Sequence, residues 1–310
     1  FTEFIYAAEA HDMILFFTKK GRVYWLHGYE IPEGAKDSKG RAIQNMLELE
    51  PDDQVNAFLG IQNHKFNDPE FLATHYVVFA TKKGIVKRTA MLNYSRSRIK
   101  GVRAINILDD DEVVNVMLTN GHNELILASR NGRAVRFNET DVRNMGRVST
   151  GVRGMRLDEN DPDDAVIGMV VAYDPTQSLM VVSEKGYGKR SVIGVVDENG
   201  KVEDGGYRLA SRGTKGVKTL NITEKTGKVI AIKCVTGDED LMIIKKSGIV
   251  IRFAISDAGD AKGRNTQGVK LIDLTKKNDM IASVCRVDKE EEAPEVAEEA
   301  TEEAPETPAE

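Results

Sequence analysis

The sequence predicts an all-β fold in which similar four-stranded units are arranged around a common axis, as in a propeller. A first observation is that an apolar strand, a tight turn and a second strand recur five times, with turn glycines at Gly21, Gly84, Gly132, Gly186 and Gly248. A second is their spacing of 63, 48, 54 and 62 residues, the length of one blade. One such unit has too little core to fold alone, so the units must stack.

The elements within each unit follow from the residue pattern. β-branched and aliphatic runs bounded by Gly, Asn, Asp and Lys indicate the two hairpin strands. A second glycine motif, usually Gly-Val-Arg or Gly-Val-Lys, follows each turn glycine by 17 to 30 residues. Its copies are Lys39-Gly40-Arg41, Gly101-Val102-Arg103, Gly151-Val152-Arg153, Gly216-Val217-Lys218 and Gly268-Val269-Lys270.

A further strand is predicted in each unit at residues 55–60, 113–118, 166–171, 229–234 and 280–285, and residues 4–10 hold the same place before the first hairpin. The sequence thus predicts six such strands but only five hairpins. We therefore expect residues 4–10 to close a unit whose hairpin lies upstream, and the chain to be part of a longer protein. No long amphipathic helix is predicted; the nearest candidate is a turn around residues 141–145.

The charge changes sharply near the end of the chain. Residues 288–310 contain eleven acidic residues and one lysine, so their net charge is −10. Because the net charge of the whole chain is −6, residues 1–287 have a net charge of +4. Such a segment buries too little apolar surface to order itself. We expect a mildly basic β domain over residues 1–287 and a disordered acidic tail over residues 288–310.

Known catalytic and metal-binding patterns are absent from the sequence. The five histidines lack metal-ligand spacing, and no phosphate-binding loop occurs. Acidic loops at residues 109–112 and 158–164 do not match a calcium loop and are interpreted as exposed turns. Cys234 and Cys285 occupy equivalent strand positions and are predicted to be buried free thiols in a cytoplasmic protein. The sequence contains no run of eighteen apolar residues, so no membrane-spanning helix is predicted.

Basic residues recur at the hairpin turns and in the loops before the second glycine. In a ring of blades, equivalent positions fall on one circle, so we expect these charges to form a band that binds duplex DNA through its phosphates, without base specificity. No aromatic platforms for single strands accompany them. The predicted DNA-binding residues are Lys19, Lys20, Arg22, Lys82, Lys83, Lys87, Arg88, Arg96, Arg98, Lys100, Arg103, Arg130, Arg133, Arg136, Arg147, Arg153, Lys189, Arg190, Arg212, Lys215, Lys245, Lys246, Arg252 and Arg264.

Residues 11–24 (HDMILFFTKKGRVY) and 29–33 (YEIPE) resemble the C-terminal domain of the bacterial DNA gyrase A protein, and the resemblance extends to about Arg286. It implies a six-bladed β-pinwheel whose blades exchange strands and whose basic rim wraps double-stranded DNA. It also implies a holoenzyme with the gyrase B protein and a second gyrase A protein, which introduces negative supercoils. ATP and magnesium would bind to other domains, so no cofactor is expected here, and the location would be the nucleoid.

The sequence departs from this family in two respects. The family's Gln-Arg-Arg-Gly-Gly-Lys/Arg-Gly box does not occur here, although residues 97–102 and 147–152 look like degenerate copies. The family's catalytic tyrosine belongs to an N-terminal part, so no tyrosine here is given that role. Two alternatives stay open: the similar C-terminal domain of the topoisomerase IV A protein, and a protein-interaction platform that uses the loops at residues 63–74 and 196–206.

Overall fold

The computed structural model describes residues 8–35, 40–174, 176–199, 202, 205–261, 263–274 and 279–287. Its elements in chain order are β1 (Met13–Thr18), β2 (Arg22–His27), β3 (Val55–Ile61), α1 (Asn63–Phe66), α2 (Pro69–Thr74), β4 (Tyr76–Thr81), β5 (Ile85–Ala90), β6 (Val102–Arg103), β7 (Val113–Thr119), β8 (Glu124–Ser129), β9 (Arg133–Asn138), β10 (Val152–Arg153), β11 (Val166–Ala172), β12 (Ser178–Ser183), β13 (Tyr187–Val192), β14 (Val217–Lys218), β15 (Val229–Val235), β16 (Asp240–Lys245), β17 (Val250–Ala254), β18 (Val269–Lys270) and β19 (Ile281–Val287). Short 3-10 turns follow several hairpins.

The strands form five antiparallel sheets, which we call blades 1 to 5. From the innermost strand outwards their orders are β3-β1-β2-β6, β7-β4-β5-β10, β11-β8-β9-β14, β15-β12-β13-β18 and β19-β16-β17. The innermost strands of successive blades, from β3 to β19, pack against one another around the axis. The outermost strand of blades 1 to 4 comes from the following repeat, so neighbouring blades exchange strands. We call these two-residue strands donor strands.

The donor segments pack closely against the turn glycines and form hydrogen bonds with their carbonyl groups. Gly84 has φ +83°, and a Cβ there would lie 2.5 Å from the carbonyl oxygen of Met155. The carbonyl of Gly84 accepts hydrogen bonds from the backbone N–H groups of Gly154 and Met155, at 2.8 and 3.1 Å. Because a side chain would fill this space, only glycine lets the donor segment approach so closely. The same contacts recur at the turn glycines of blades 1, 3 and 4.

The hydrophobic core lies between the blades rather than within one of them. In β4, Val77 and Phe79 belong to a cluster shared with blade 1, whereas Val78 and Ala80 belong to a cluster shared with blade 3. All four side chains are fully buried. Strands covered on both faces read as continuous apolar runs instead of alternating ones, which explains the hairpin pattern of the sequence.

Several sequence predictions about the core and the repeats are confirmed. The five hairpins form around the predicted turn glycines, and the five inner strands begin within one residue of their predicted positions and end one or two residues later than predicted. Cys234 and Cys285 are buried and form no disulfide bond, and burial raises the pKa of Cys234 to about 12. None of the helices in the described part of the chain is long and apolar enough to cross a membrane.

Other predictions need correction or lie outside the described residues. The predicted six blades are wrong for the described ranges, which form five, because only five hairpins occur in them. Residues 4–7 of the predicted strand 4–10 lie outside those ranges, and residues 8–10 form no strand; the tail 288–310 also lies outside. The helical turn expected around residues 141–145 forms slightly earlier, as a 3-10 turn at Glu139–Asp141. Two short helices that the sequence did not predict lie within residues 63–74, where Asp68 caps α2 and Pro69 begins it.

Candidate nucleic-acid interface

Each donor strand places one cation at the outer edge of a blade. The first residue of the donor strand is a half-buried valine, and the second is exposed and basic. The register is the same in each case: Arg103 lies opposite Arg22, and Lys218 lies opposite Arg133. The four equivalent side chains are Arg103, Arg153, Lys218 and Lys270. Strand exchange therefore spaces positive charges regularly along the outer edge of blades 1 to 4.

The loops that lead into the donor strands add further cations to this edge. Arg96, Arg98, Lys100 and Lys215 are exposed. Three half-buried arginines, Arg147, Arg212 and Arg264, donate hydrogen bonds to nearby backbone carbonyls. Together with the four donor-strand cations they form what we call the outer-edge set, consisting of Arg96, Arg98, Lys100, Arg103, Arg147, Arg153, Arg212, Lys215, Lys218, Arg264 and Lys270.

Acidic partners are scarce along this edge. Among the described residues, only Lys270 of the outer-edge set makes an ion pair, with Asp273 at 3.0 Å. Arg103 instead donates a hydrogen bond to the side chain of Asn106 at 3.1 Å. The positive charge of the outer-edge set is therefore largely uncompensated, and an anionic ligand can approach it.

Three cations of the hairpin turns lie at the mouth of the central channel. A cavity of about 680 Å³ there is lined by Lys82, Arg130 and Lys246 together with innermost-strand residues such as Ile167 and Ile230. The hairpin-turn set consists of Lys19, Lys20, Lys82, Lys83, Arg130, Lys245 and Lys246. One continuous basic band stays a prediction, because the two sets adjoin at the turn end of a blade: Arg103 lies opposite Arg22, two residues from Lys20.

The hairpin-turn set is also largely compensated. Lys19 and Lys82 lie 4.0 and 3.7 Å from Glu112, and Arg130 lies 3.7 Å from Glu184. Lys20 and Lys83 donate hydrogen bonds at 2.9 Å to the carbonyls of Pro51 and Asp109. The contacts of the four lysines hold their turns to loops before inner strands, whereas the pair of Arg130 with Glu184 joins the hairpin turns of blades 3 and 4.

The acidic loops at residues 109–112 and 158–164 lie between strands, as the sequence predicted, but Asp164 is buried rather than exposed and both loops also hold the hairpin turns. Asp53, Asp111 and Asp164 each lie two residues before an inner strand, and each accepts the backbone N–H of the residue preceding a turn glycine, at 2.9 to 3.1 Å. No group of three or more potential metal ligands occurs in the described ranges.

Three predicted DNA-binding residues are buried and must be removed from the candidate interface: Lys87, Arg136 and Lys189. Lys87 donates from Nζ to the backbone carbonyls of Ala104 and Arg147. Lys189 binds the carbonyls of Gly263 and Arg264 in the same way. These carbonyls belong to donor segments and to the loops before them, and the buried lysine amines supply hydrogen bonds to them.

Burial also changes the protonation of these lysines. Desolvation, assisted by the nearby charge of Arg147, lowers the pKa of Lys87 to about 7. Desolvation together with the charge of Arg264 lowers the pKa of Lys189 to about 8. Arg136 donates to the carbonyls of Ile193, Gly194 and Tyr207 at 2.8 to 3.0 Å.

The remaining predicted residues are tied within or between blades. Arg22 donates to the carbonyl of Lys100 at 2.8 Å, and Arg133 donates to that of Gly216 at 3.1 Å, so both anchor donor segments. A last group lies on the second hairpin strand and also has fixed partners: Arg88 with Glu139 at 3.7 Å, Arg190 with the Thr236 carbonyl at 3.2 Å, and Arg252 with Asp240 at 2.5 Å.

Two residues of the outer-edge set, Lys218 and Lys270, were missed as site residues from the sequence. The signal was present, because both stand in the repeated Gly-Val-basic motif beside the predicted Arg103 and Arg153.

Blades that exchange their outermost strands and carry uncompensated cations on that edge define a basic, strand-exchanging propeller-like domain. The sequence matches the family described as DNA gyrase C-terminal domain, beta-propeller, over residues 12–61, 75–120, 123–172, 177–201, 205–236 and 239–287. This is most of the chain, and the chain belongs to that family.

Similar proteins agree with this assignment. The chain is 41% identical over 265 residues to the DNA gyrase A protein of Staphylococcus aureus strain NCTC 8325 / PS 47, covering 85% of this chain and 28% of that protein. The chain thus spans little more than a quarter of that relative. Among solved structures, the C-terminal domain of DNA gyrase A has a TM-score of 0.71, and that of DNA topoisomerase IV has 0.73. Each is 24% identical over 90% of this chain, covering 83% and 80% of the solved chains respectively, and shows the fold alone.

Proposed function

We propose that this chain binds duplex DNA along the outer edge of blades 1 to 4 and wraps it without sequence specificity. In a larger protein it would act as the DNA-wrapping domain of a gyrase A protein, supporting ATP-dependent negative supercoiling together with the gyrase B protein. The observation that carries the proposal is the regular row of exposed donor-strand cations, one in each of four successive blades.

The geometry suits a phosphate backbone. Cations at equivalent positions of stacked blades follow a curve, and DNA can follow a curved surface at a bending cost of about 1–6 kcal/mol per 20–30 base pairs. Because phosphate contacts carry no sequence information, little base preference is expected. The name of the 41% identical relatives favours gyrase over topoisomerase IV.

We further propose that a sixth unit completes the disc in the full-length protein. Blade 5 lacks a donor strand in the described ranges, and its edge residues Ile249 and Val250 are 41% and 40% exposed. Gly248 keeps φ +85°, yet no described atom lies within 4 Å of its Cβ position. Conversely, Gly40 belongs to a donor motif that pairs with no sheet in the described ranges. A docked sixth unit would slow amide hydrogen exchange at residues 249–250 in the longer protein; equal exchange in both forms would contradict it.

The DNA proposal is tested by measuring affinity for a long duplex as a function of salt, together with the linking-number shift after nicked circles are ligated on the protein. With roughly five to ten phosphates contacted, the log–log salt slope is expected to be about −5 to −9. A steep slope with a shift in linking number supports wrapping by these residues.

Two other outcomes have distinct meanings. Steep binding without a topological shift would place the determinant of wrapping outside this chain. No salt-dependent binding would favour an interaction platform, although one of its suggested loops, residues 63–74, packs Phe66 and Leu72 into the core and offers less free surface than the sequence predicted.

A further inference from the structure

An aliphatic side chain projects from the most basic loop of the outer edge. Ile99 is 83% exposed, more than any other large hydrophobic side chain in the described ranges. Its neighbours Arg98 and Lys100 are exposed cations, and Arg96 lies three residues earlier. Exposed single apolar residues are common on protein surfaces, so position and rigidity decide whether this one has a role.

The loop that carries Ile99 is firmly held. Arg22 donates to the carbonyls of Lys100 and Gly101, at 2.8 and 3.3 Å. A Cβ on Gly101 would lie 2.6 Å from the ring of Tyr24, so the loop backbone rests directly on that buried side chain. Ile99 is therefore presented to solvent by a backbone fixed immediately next to it.

The equivalent loop of the next repeat presents a second aliphatic side chain. Val148 is 65% exposed and follows Arg147. Its neighbours are also fixed: the Arg147 carbonyl accepts from buried Lys87, and the Ser149 carbonyl accepts the backbone N–H of Asn106 at 3.1 Å. Ile99 lies two residues before Gly101, whereas Val148 lies three residues before Gly151. Neither of these two positions is apolar in the later loops, which have Gly213-Thr214 and Asn265-Thr266. The apolar tips are thus confined to the loops serving blades 1 and 2.

We propose that Ile99 and Val148 are wedges that insert between stacked base pairs of the bound duplex and kink it at the edge of blades 1 and 2. This inference rests on the proposed function, because the flanking cations must first bring the phosphate backbone to the loops. Minor-groove proteins use aliphatic wedges in this way: partial unstacking is costly, but a localised kink lets DNA follow a tight surface. Burial of the exposed aliphatic groups offsets part of that cost.

The test uses a duplex with a central two-base mismatch and 2-aminopurine beside it, in competition with a fully paired duplex of the same length. A mismatch lowers the cost of unstacking. We expect the full chain to prefer the mismatched duplex roughly three- to tenfold, the size expected when wedge burial is gained without the unstacking cost, and to raise the 2-aminopurine fluorescence. The double variant Ile99→Ala, Val148→Ala should lose both effects and keep its salt slope.

A matched control is Val195→Ala. Val195 is 68% exposed, close to the value for Val148, but acidic Asp197 and Glu198 follow it, so DNA should not approach. A double variant that keeps the preference and the fluorescence change overturns the wedge, as does a Val195→Ala variant that loses them equally. Absence of any salt-dependent binding by the unaltered chain would instead overturn the proposed function, and the wedge with it.

Discussion

The buried amine of Lys87 should make the stability of the domain depend on pH. Lys87 is fully buried, its Nζ lies 5.3 Å from the centre of the Phe79 ring, and it donates to two backbone carbonyls. Its pKa is lowered from 10.5 to about 7, first by desolvation and then by the charge of Arg147. Between these two values the unfolded chain binds a proton that the folded chain does not, so unfolding becomes less favourable as pH rises.

The magnitude follows from the two pKa values. Where the unfolded lysine is protonated and the folded one is not, the free energy of unfolding rises by about 1.4 kcal/mol per pH unit. Between pH 7.5 and pH 9.5 the gain attributable to Lys87 is about 2.5 kcal/mol, allowing for partial protonation of the folded form at the lower pH. Lys87→Met removes the titrating group and leaves the Arg147 carbonyl without its donor. That second effect lowers stability by a similar amount at every pH.

Urea unfolding of the unaltered chain and of Lys87→Met at pH 7.5, 8.5 and 9.5 measures this difference. The free energy of unfolding of the unaltered chain minus that of Lys87→Met should rise by about 2.5 kcal/mol from pH 7.5 to pH 9.5. Lys225→Met, at an exposed position, should follow the unaltered chain throughout. Parallel pH profiles for Lys87→Met and the unaltered chain would refute the reasoning, since they would show that the buried amine stays protonated in the folded state.

Three further predictions concern the outer edge, the turn glycines and the acidic tail. Lys218→Ala should weaken duplex binding equally for all sequences and make the salt slope shallower by about 0.9, whereas Lys82→Ala, at the channel mouth, should leave the slope unchanged in the same titration. Gly84→Ala should destabilise the domain by more than about 2 kcal/mol in urea unfolding, because its Cβ would meet a donor carbonyl at 2.5 Å; Gly248→Ala has no such neighbour in the described ranges and should cost only about 1 kcal/mol for its positive φ. Deletion of residues 288–310, which carry −10, should tighten DNA binding at low salt if the tail competes for the same cations; an unchanged affinity would exclude competition.

Repetition made the fold predictable, and it also contains information that the site prediction did not use. The residue three positions after each turn glycine is Tyr24, Lys87, Val135, Lys189 or Ile251. Three of these five are apolar or aromatic, which indicates an inward-facing position. Comparing the repeats position by position would therefore have marked both lysines as interior residues. Both lysines were predicted to bind DNA because the prediction considered only that they are basic, and not which position of the repeat they occupy.

Arg136 shows what the sequence could not reveal. Its equivalent in blade 1 is Trp25, whose indole N–H donates to the carbonyl of Tyr94 at 3.0 Å, just as Arg136 donates to that of Tyr207 at 2.9 Å. Two chemically unlike side chains thus satisfy the same backbone group. The requirement arises from an unpaired carbonyl in a long connecting segment, and nothing in the local sequence identifies which carbonyls lack a strand partner.

The separation of free from compensated cations follows from strand exchange itself. At a hairpin turn the loop before the inner strand lies close by and supplies aspartates, glutamates and carbonyls, so charge there is compensated. At the donor strand no further strand follows outwards, and the second residue faces solvent. The same two residues therefore close the interface between blades and present a cation: Val102 packs against the core shared by blades 1 and 2, while Arg103 stays exposed. Any change that undocks a donor strand should remove a DNA contact and open a blade interface together.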